Sequence, residues 1–309
     1  MDSPTPAAPP TSAAPSIPAP RLPEARLPGP GSPTWEYLAP WYTLAFGWRA
    51  LVLQTAHPVV AAGVRDHSSY RADPWGRLDR TLTALQRVVY ASEEEIRAAA
   101  LRLRRRHTRI QGTGLDGRPY TAFDPEAFAW VHATLFESVD TLHRLSGRPI
   151  PAAQRARLYQ EWLAVGQAMG VRPGDLPEDV SGFDAYFADM VATRLIDTPV
   201  VRDLLAIGTE WPVPRPEALR RLPEAVWRSL HAPVFRVGAR ITVATLPAAY
   251  RERLGLAETD PRRAARAERR AHATLRAVRG GVTLLPRQLR YQPIAARAMR
   301  RHGHRPPVG

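Results

Sequence analysis

The stretch DPEAFAWVHATLFESVDTLHRL, residues 124–145, governs how the rest of the chain is read. Asp124 is a capping acid, Pro125 takes the first helical position and Glu126 adds an acid near the positive end of the helix dipole, so a helix is predicted to run to about Leu145. Spacing on that helix sets Phe128, Leu135, Phe136 and Val139 on the same side as His132. Such an apolar face needs other elements to cover it.

Those elements read as helices on both sides. Upstream, Ser92 followed by Glu95 is a capping box that opens a helix to about Ile110. Downstream, Pro151 opens a helix that Gly170 closes, and further periodic stretches lie near 183–194, 216–230, 234–245, 261–278 and 284–301. There is no series of alternating strands and no repeat of roughly 20–50 residues. A mainly α-helical single domain is predicted over residues 34–301. The first 33 residues hold 11 prolines among Ala, Ser and Thr, a composition unable to bury apolar surface, so 1–33 is expected to be a disordered leader and 302–309 a disordered tail.

From Leu38 to Val64 the chain is nearly apolar, with Arg49 its only charge, which raises the question of a membrane span. Pro40, Gly47, Gln54 and the His57-Pro58 pair interrupt the run, and Pro58 removes a backbone donor and crowds the preceding turn. A buried core helix with a kink is expected there rather than a transmembrane span. The leader has neither an early basic region nor an uninterrupted apolar one, so no secretory signal is expected and a cytoplasmic location is.

Composition narrows the chemistry. With 309 residues, 44% hydrophobic and 23% charged, wholesale disorder is excluded. The absence of cysteine excludes disulfides, thiolate nucleophiles, Cys-ligated zinc, iron–sulfur clusters and a Cys-ligated haem. All 43 basic residues are arginine, which removes Schiff-base chemistry and a P-loop lysine. Of the formal charge of +14, residues 251–309 carry +11, from 15 Arg against 4 acids. A basic tail of this kind is either a solvated helix or a surface for phosphate or a membrane, so peripheral membrane contact stays open. Arg262, Arg263, Arg266, Arg269 and Arg270 form a stripe, but no interleaved aromatic residues or groove-reading motif accompany it, so no specific nucleic-acid partner is expected.

Familiar catalytic templates fail. Gly112-Thr-Gly114-Leu-Asp-Gly117 matches the dinucleotide fingerprint in letters only: an Arg-rich helix precedes it and Arg118-Pro119-Tyr120 follows, so a flexible connection between two helices is expected. H-E-x-x-H, G-x-S-x-G and the paired E-x-x-H of di-iron proteins are all missing. Asp140 and His143 share a helix face and read as a surface ion pair. His132 reads either as a core residue satisfied by one hydrogen bond or as an axial ligand to a flat apolar cofactor such as haem. Arg104, His107 and Thr108 share a face on the preceding helix, either as part of a solvated arginine surface or as a clamp for the carboxylates of such a cofactor.

Taken together, five segments resemble one family. They are Leu51-Val-Leu-Gln-Thr-Ala-His57-Pro58, Asp73-Pro74-Trp-Gly-Arg77-Leu-Asp-Arg80-Thr81, Arg104-Arg-Arg-His107-Thr108-Arg109-Ile-Gln-Gly112, Tyr120-Thr-Ala-Phe-Asp124-Pro125 and Trp130-Val-His132-Ala-Thr. In order and spacing they are similar to the haem-dependent oxygenases that include the latex-clearing rubber oxygenases and the fungal oxygenase that cuts a farnesyl chain in mycophenolic acid biosynthesis. The resemblance covers roughly residues 35–250, with a weaker echo in Leu284-Leu-Pro286-Arg-Gln-Leu-Arg290.

That resemblance implies a globin-like helical domain around a pocket for haem b, with His132 as the iron ligand. It implies that Arg104 matches an arginine near the haem, His107 a distal lysine and Thr108 a distal threonine. The histidine in place of lysine is a departure that makes His107 a removable ligand, a donor to bound oxygen or a second axial ligand. His57 belongs to a shared motif and reads mainly as structural at a helix kink, with a place on the haem pocket as the alternative. The implied activity is oxidation of an apolar, isoprenoid-like small molecule by dioxygen, such as cleavage of a carbon–carbon double bond. A non-catalytic helical protein that binds haem or an apolar ligand, with a basic C-terminal surface, is the rival reading.

Overall fold

The computed structural model describes residues 27–207 and 213–303. Disorder expected for residues 1–26 and 304–309 falls outside them. Among the described residues the fold is almost wholly helical. It begins with α1 (Pro33–Leu38), a 3-10 turn (Trp41–Phe46), α2 (Gly47–Ala56), α3 (Pro58–His67), α4 (Pro74–Tyr90) and α5 (Glu93–His107). A hairpin of β1 (Gln111–Thr113) and β2 (Pro119–Thr121) leads to α6 (Pro125–Leu145), α7 (Ala152–Met169), α8 (Val180–Thr193) and α9 (Pro199–Ala206). Last come α10 (Glu224–Thr245), α11 (Ala248–Arg253), α12 (Pro261–Leu284), α13 (Arg287–Arg290) and α14 (Pro293–Arg301).

Local chemistry sets most boundaries. The Asp124 carboxylate accepts the Ala127 N–H at 2.8 Å at the start of α6, and Ser92 and Glu95 form the reciprocal box that opens α5. Gly170 ends α7 at φ +117°, the left-handed region that a side chain disfavours. His57 is extended between α2 and α3, where Pro58 stops one helix and starts the next. Ser32 and His302, assigned by composition to the leader and the tail, are both placed: the Ser32 hydroxyl caps α1, and the His302 ring lies edge-on to Trp35.

Two expectations are corrected. The Gly112–Gly117 stretch is not an irregular connection but the turn of an antiparallel hairpin, with Gly112 opposite Tyr120. A Cβ at Gly112 would stand 3.1 Å from the Tyr120 ring, so that glycine serves strand pairing rather than phosphate binding. The stretches expected near 216–230 and 234–245 are not separate helices: α10 runs from Glu224 through Pro233 to Thr245, and only a 3-10 turn at Glu217–Leu219 precedes it. Its inner face explains this: Trp227, His231 and Phe235 continue one aromatic ladder onto Trp48 and Trp75, and tertiary packing outweighs the proline's lost bond.

At the centre lies α2, packed against α3, α6, α9, α10 and the 3-10 turn. Val52, Leu53 and Ala56 are wholly buried, as the apolar run predicted. So is Arg49, which donates to Glu137 on α6 through both terminal nitrogens, to the Ser138 hydroxyl at 3.1 Å and to the Thr245 carbonyl at 2.9 Å. No helix among the described residues is long and apolar enough to cross a membrane. Replacing Arg49 by Met leaves the Glu137 carboxylate without its partner, and an unpaired buried charge costs about 3–5 kcal/mol. The expected result is a large drop in the unfolding midpoint in denaturant, with most of it recovered in the Arg49→Met/Glu137→Leu double variant.

Candidate functional site

Between α2, α4, α6 and α10 the fold leaves a cavity of about 360 Å³ that is partly open to solvent beside Leu78 and Thr81. Its wall is aliphatic and aromatic: Leu51 of α2, Leu82 and Leu85 of α4, Val139 of α6, Trp162 of α7 and Phe235 of α10 all face it. Polar groups on the wall are mostly engaged elsewhere. Ser138 accepts from Arg49, Gln54 donates to the Val131 carbonyl at 3.4 Å and the Tyr70 hydroxyl donates to Asp203 at 2.6 Å. Gln86 also lines the wall, and its Oε1 is buried without a hydrogen-bond partner. Arg77, Leu78 and Thr81, from the quoted Asp73–Thr81 segment, complete one side. A pocket of this size and apolar character suits an apolar small molecule.

His132 sits behind that wall, not on it. Its ring stacks on Trp162, with centroids 4.8 Å apart and planes 12° from parallel. The two residues are tied reciprocally: His132 Nε2–H donates to the Trp162 carbonyl at 2.7 Å, and Trp162 Nε1–H donates to the His132 carbonyl at 3.0 Å. Gly166, one turn further along α7, faces the imidazole so closely that a Cβ there would lie 2.6 Å from Nε2. Burial pushes the His132 pKa down to about 4, so the ring is neutral near pH 7.

A buried neutral imidazole has the chemistry of an axial haem ligand. The space around it does not match. Nε2 is capped by a carbonyl, the α7 backbone fills the volume in front of it, and the Trp162 indole, which lines the cavity, is stacked on the His132 ring. With the helices so packed, the residues do not fit a haem held at Nε2. No group of three or more His, Asp or Glu side chains able to hold a metal occurs among the described residues.

The other predicted residues lie apart from the cavity. His107, at the end of α5, is half-buried, with its ring edge-on to Phe123 and Phe128 and its Nδ1 without a partner; burial lowers its pKa. Phe128, which meets the His107 ring edge-on, is one turn before His132 on α6. Thr108 is exposed, and its hydroxyl turns back to the Arg105 carbonyl at 2.8 Å. Arg104 lies on α5 one turn from both, half-buried. His57 is buried, with Nε2 3.2 Å from Glu126 at the start of α6, so it fastens the α2–α3 corner to that helix.

The expected Asp140–His143 ion pair is not formed. Asp140 instead receives Arg155 at 2.8 Å, and His143 is buried against the Tyr37 carbonyl at 3.1 Å. Both side chains face packed helices rather than solvent, which single-helix spacing does not reveal. Sequence reasoning also missed Trp162, Gly166 and Gln86. The closing Gly170 of α7 was noticed, but nothing local marks Gly166 as the residue that makes room for an imidazole from another helix.

His132 and His143, each with a pKa near 4 when folded, return to the ordinary value of about 6.5 when unfolded. The unfolded chain therefore takes up protons first as pH falls, and stability drops between about pH 6.5 and 4. Denaturant midpoints measured across that window should fall with pH, and less steeply in a His143→Gln variant.

No curated protein and no solved structure matches the chain. A family model described as the catalytic domain of the ER-bound oxygenase mpaB/B′ and rubber oxygenase matches residues 35–280, from α1 almost to the end of α12. The five main segments quoted above fall within that span, as do α2, α4, α6, α7 and α10 of the cavity wall, while the weaker echo at 284–290 lies beyond it. The chain thus belongs to the mpaB/rubber oxygenase catalytic-domain family.

Proposed function

We propose that this chain is an oxygenase that takes an apolar, isoprenoid-like small molecule into the α2–α4–α6–α10 cavity and oxidises it with dioxygen. The observation that carries this reading is the cavity itself, an apolar chamber of about 360 Å³ in a chain of an oxygenase family. The wall residues supply burial and orientation. Leu51, Leu82, Leu85 and Val139 take up the hydrocarbon, while Trp48, Trp75 and Phe235 hold one end of the chamber through edge-to-face contacts.

Haem b is kept in this reading as the redox group that the resemblance implies. His132 would be its iron ligand, Arg104 and His57 would be further cofactor contacts, and His107 and Thr108 would supply polar groups to the oxygen chemistry. The assignment requires His132 Nε2 to give up the Trp162 carbonyl and α7 to move away from α6 at Gly166. Phe128, one turn before His132 and edge-on to His107, would move with them. The capped state of His132 favours a second reading, a non-catalytic carrier of apolar ligands that uses the same chamber.

Oxygen consumption separates the two. With haem supplied and an isoprenoid alkene present, the oxygenase reading expects substrate-dependent oxygen uptake and a Soret band that the His132→Ala variant lacks. Ligand binding without oxygen uptake would leave the carrier reading. Leu82→Trp, which fills the chamber, should lower uptake about tenfold or more, the loss of roughly 1.4 kcal/mol of apolar contact, with little change in the unfolding midpoint.

A further inference from the structure

The outer face of α10 is the largest apolar feature that the cavity does not use. Val226, Leu230, Val234 and Val237 recur at intervals of four, four and three residues and are 43%, 59%, 67% and 43% exposed. This spacing is one stripe of a helix turned away from the core. Its inner face is the aromatic ladder that ends at Phe235 on the cavity wall.

The neighbouring helix α12 packs on α10: Arg251 bridges the Ala244 carbonyl and Glu268, and Ile241 and Val282 both pack against the cluster of Tyr42, Phe46, Leu142 and Leu275. The end of α12 and the helix after it are apolar and exposed too. Leu284 there is 87% exposed and Leu289 on α13 is 58% exposed. Isolated exposed leucines are ordinary, but four exposed apolar residues along one helix face are not.

Charge distinguishes between the partners such a surface could take. Arg236 and Arg240 flank the α10 stripe, and Arg287 and Arg290 accompany the α12–α13 corner. Among the described residues none of these four has a carboxylate in ion-pair range. From Arg269 to Arg301 the chain contains no acidic residue at all. A folded protein partner would have to match both a flat aliphatic row and a carboxylate-free arginine border. An anionic bilayer supplies both at once, phosphates for the guanidinium groups and acyl chains for the leucines and valines.

We infer that the outer face of α10, with the α12–α13 corner, docks on an anionic membrane surface. This surface lies on the reverse side of the helix that carries Phe235, so a membrane-dissolved apolar compound would have only one helix between it and the chamber. The inference stands on exposure and charge, and it holds whether the chamber is catalytic or a carrier site.

The test is co-sedimentation of the full chain with vesicles of phosphatidylcholine alone and with vesicles in which about one lipid in three is phosphatidylserine. Binding is expected to the second and to fall as salt rises from about 0.1 to about 0.5 M. The Leu230→Glu/Val234→Glu variant, altered only at solvent-exposed positions, should bind tenfold or more weakly while keeping the parent unfolding midpoint. Arg236→Gln/Arg240→Gln should lose the preference for phosphatidylserine, and Arg262→Gln/Arg263→Gln, at the far end of α12, should retain it. Equal binding by the parent and the Leu230→Glu/Val234→Glu variant would reduce the effect to diffuse charge attraction and overturn the inference. So would absence of vesicle binding, and if soluble polyglutamate were still bound, the face would belong to an acidic protein instead.

Discussion

The buried pair of Arg49 and Glu137 is the constraint on which the cavity depends. A guanidinium in the first turn of an apolar helix loses its hydration, and it is tolerated because carboxylate, hydroxyl and carbonyl acceptors surround it. Those acceptors come from α6 and α10, so the pair fixes the distance between the helices that form opposite parts of the chamber. Ser138 makes the link direct: it receives Arg49 on one side and lines the cavity on the other. Polar satisfaction at Arg49 and apolar space at Leu51, two residues later, are two faces of the same packing.

A second tie closes the opposite seam. His132 and Trp162 exchange hydrogen bonds between α6 and α7 and stack face to face, with Gly166 allowing the approach. The indole thereby becomes part of the chamber wall while the imidazole is kept neutral behind it. The chamber and the buried imidazole of His132 are brought next to each other without being joined. Any cofactor on His132 must break a bond pair that the fold has otherwise satisfied, which couples loading to the position of α7.

The amphipathic logic of α10 follows from the same arrangement. Its inner row is aromatic because it must bridge α2 and α4 over the chamber, and that continuous contact carries the helix through Pro233. Its outer row is aliphatic with no core left to cover. One helix thus faces the apolar interior on one side and an arginine-bordered surface on the other.

Sequence alone determined the helical class, the starts of α5 and α6, the end of α7, the break at His57-Pro58 and membership of the oxygenase family. These are legible because caps, prolines and a left-handed glycine act within about four residues of themselves. Burial of the Leu38–Val64 run was legible too, from its composition. Tertiary structure decided the rest. The glycine-rich turn became a hairpin because Tyr120 packs across Gly112 and its hydroxyl reaches Asp66. Asp140 and His143 parted because Arg155 and the Tyr37 carbonyl, from other helices, were better partners. Periodicity placed His132 on an apolar face, but whether its Nε2 meets a carbonyl or an open space is settled by a residue 30 positions away on another helix. Helical spacing specifies a side, and only the packing of a second helix specifies what stands there.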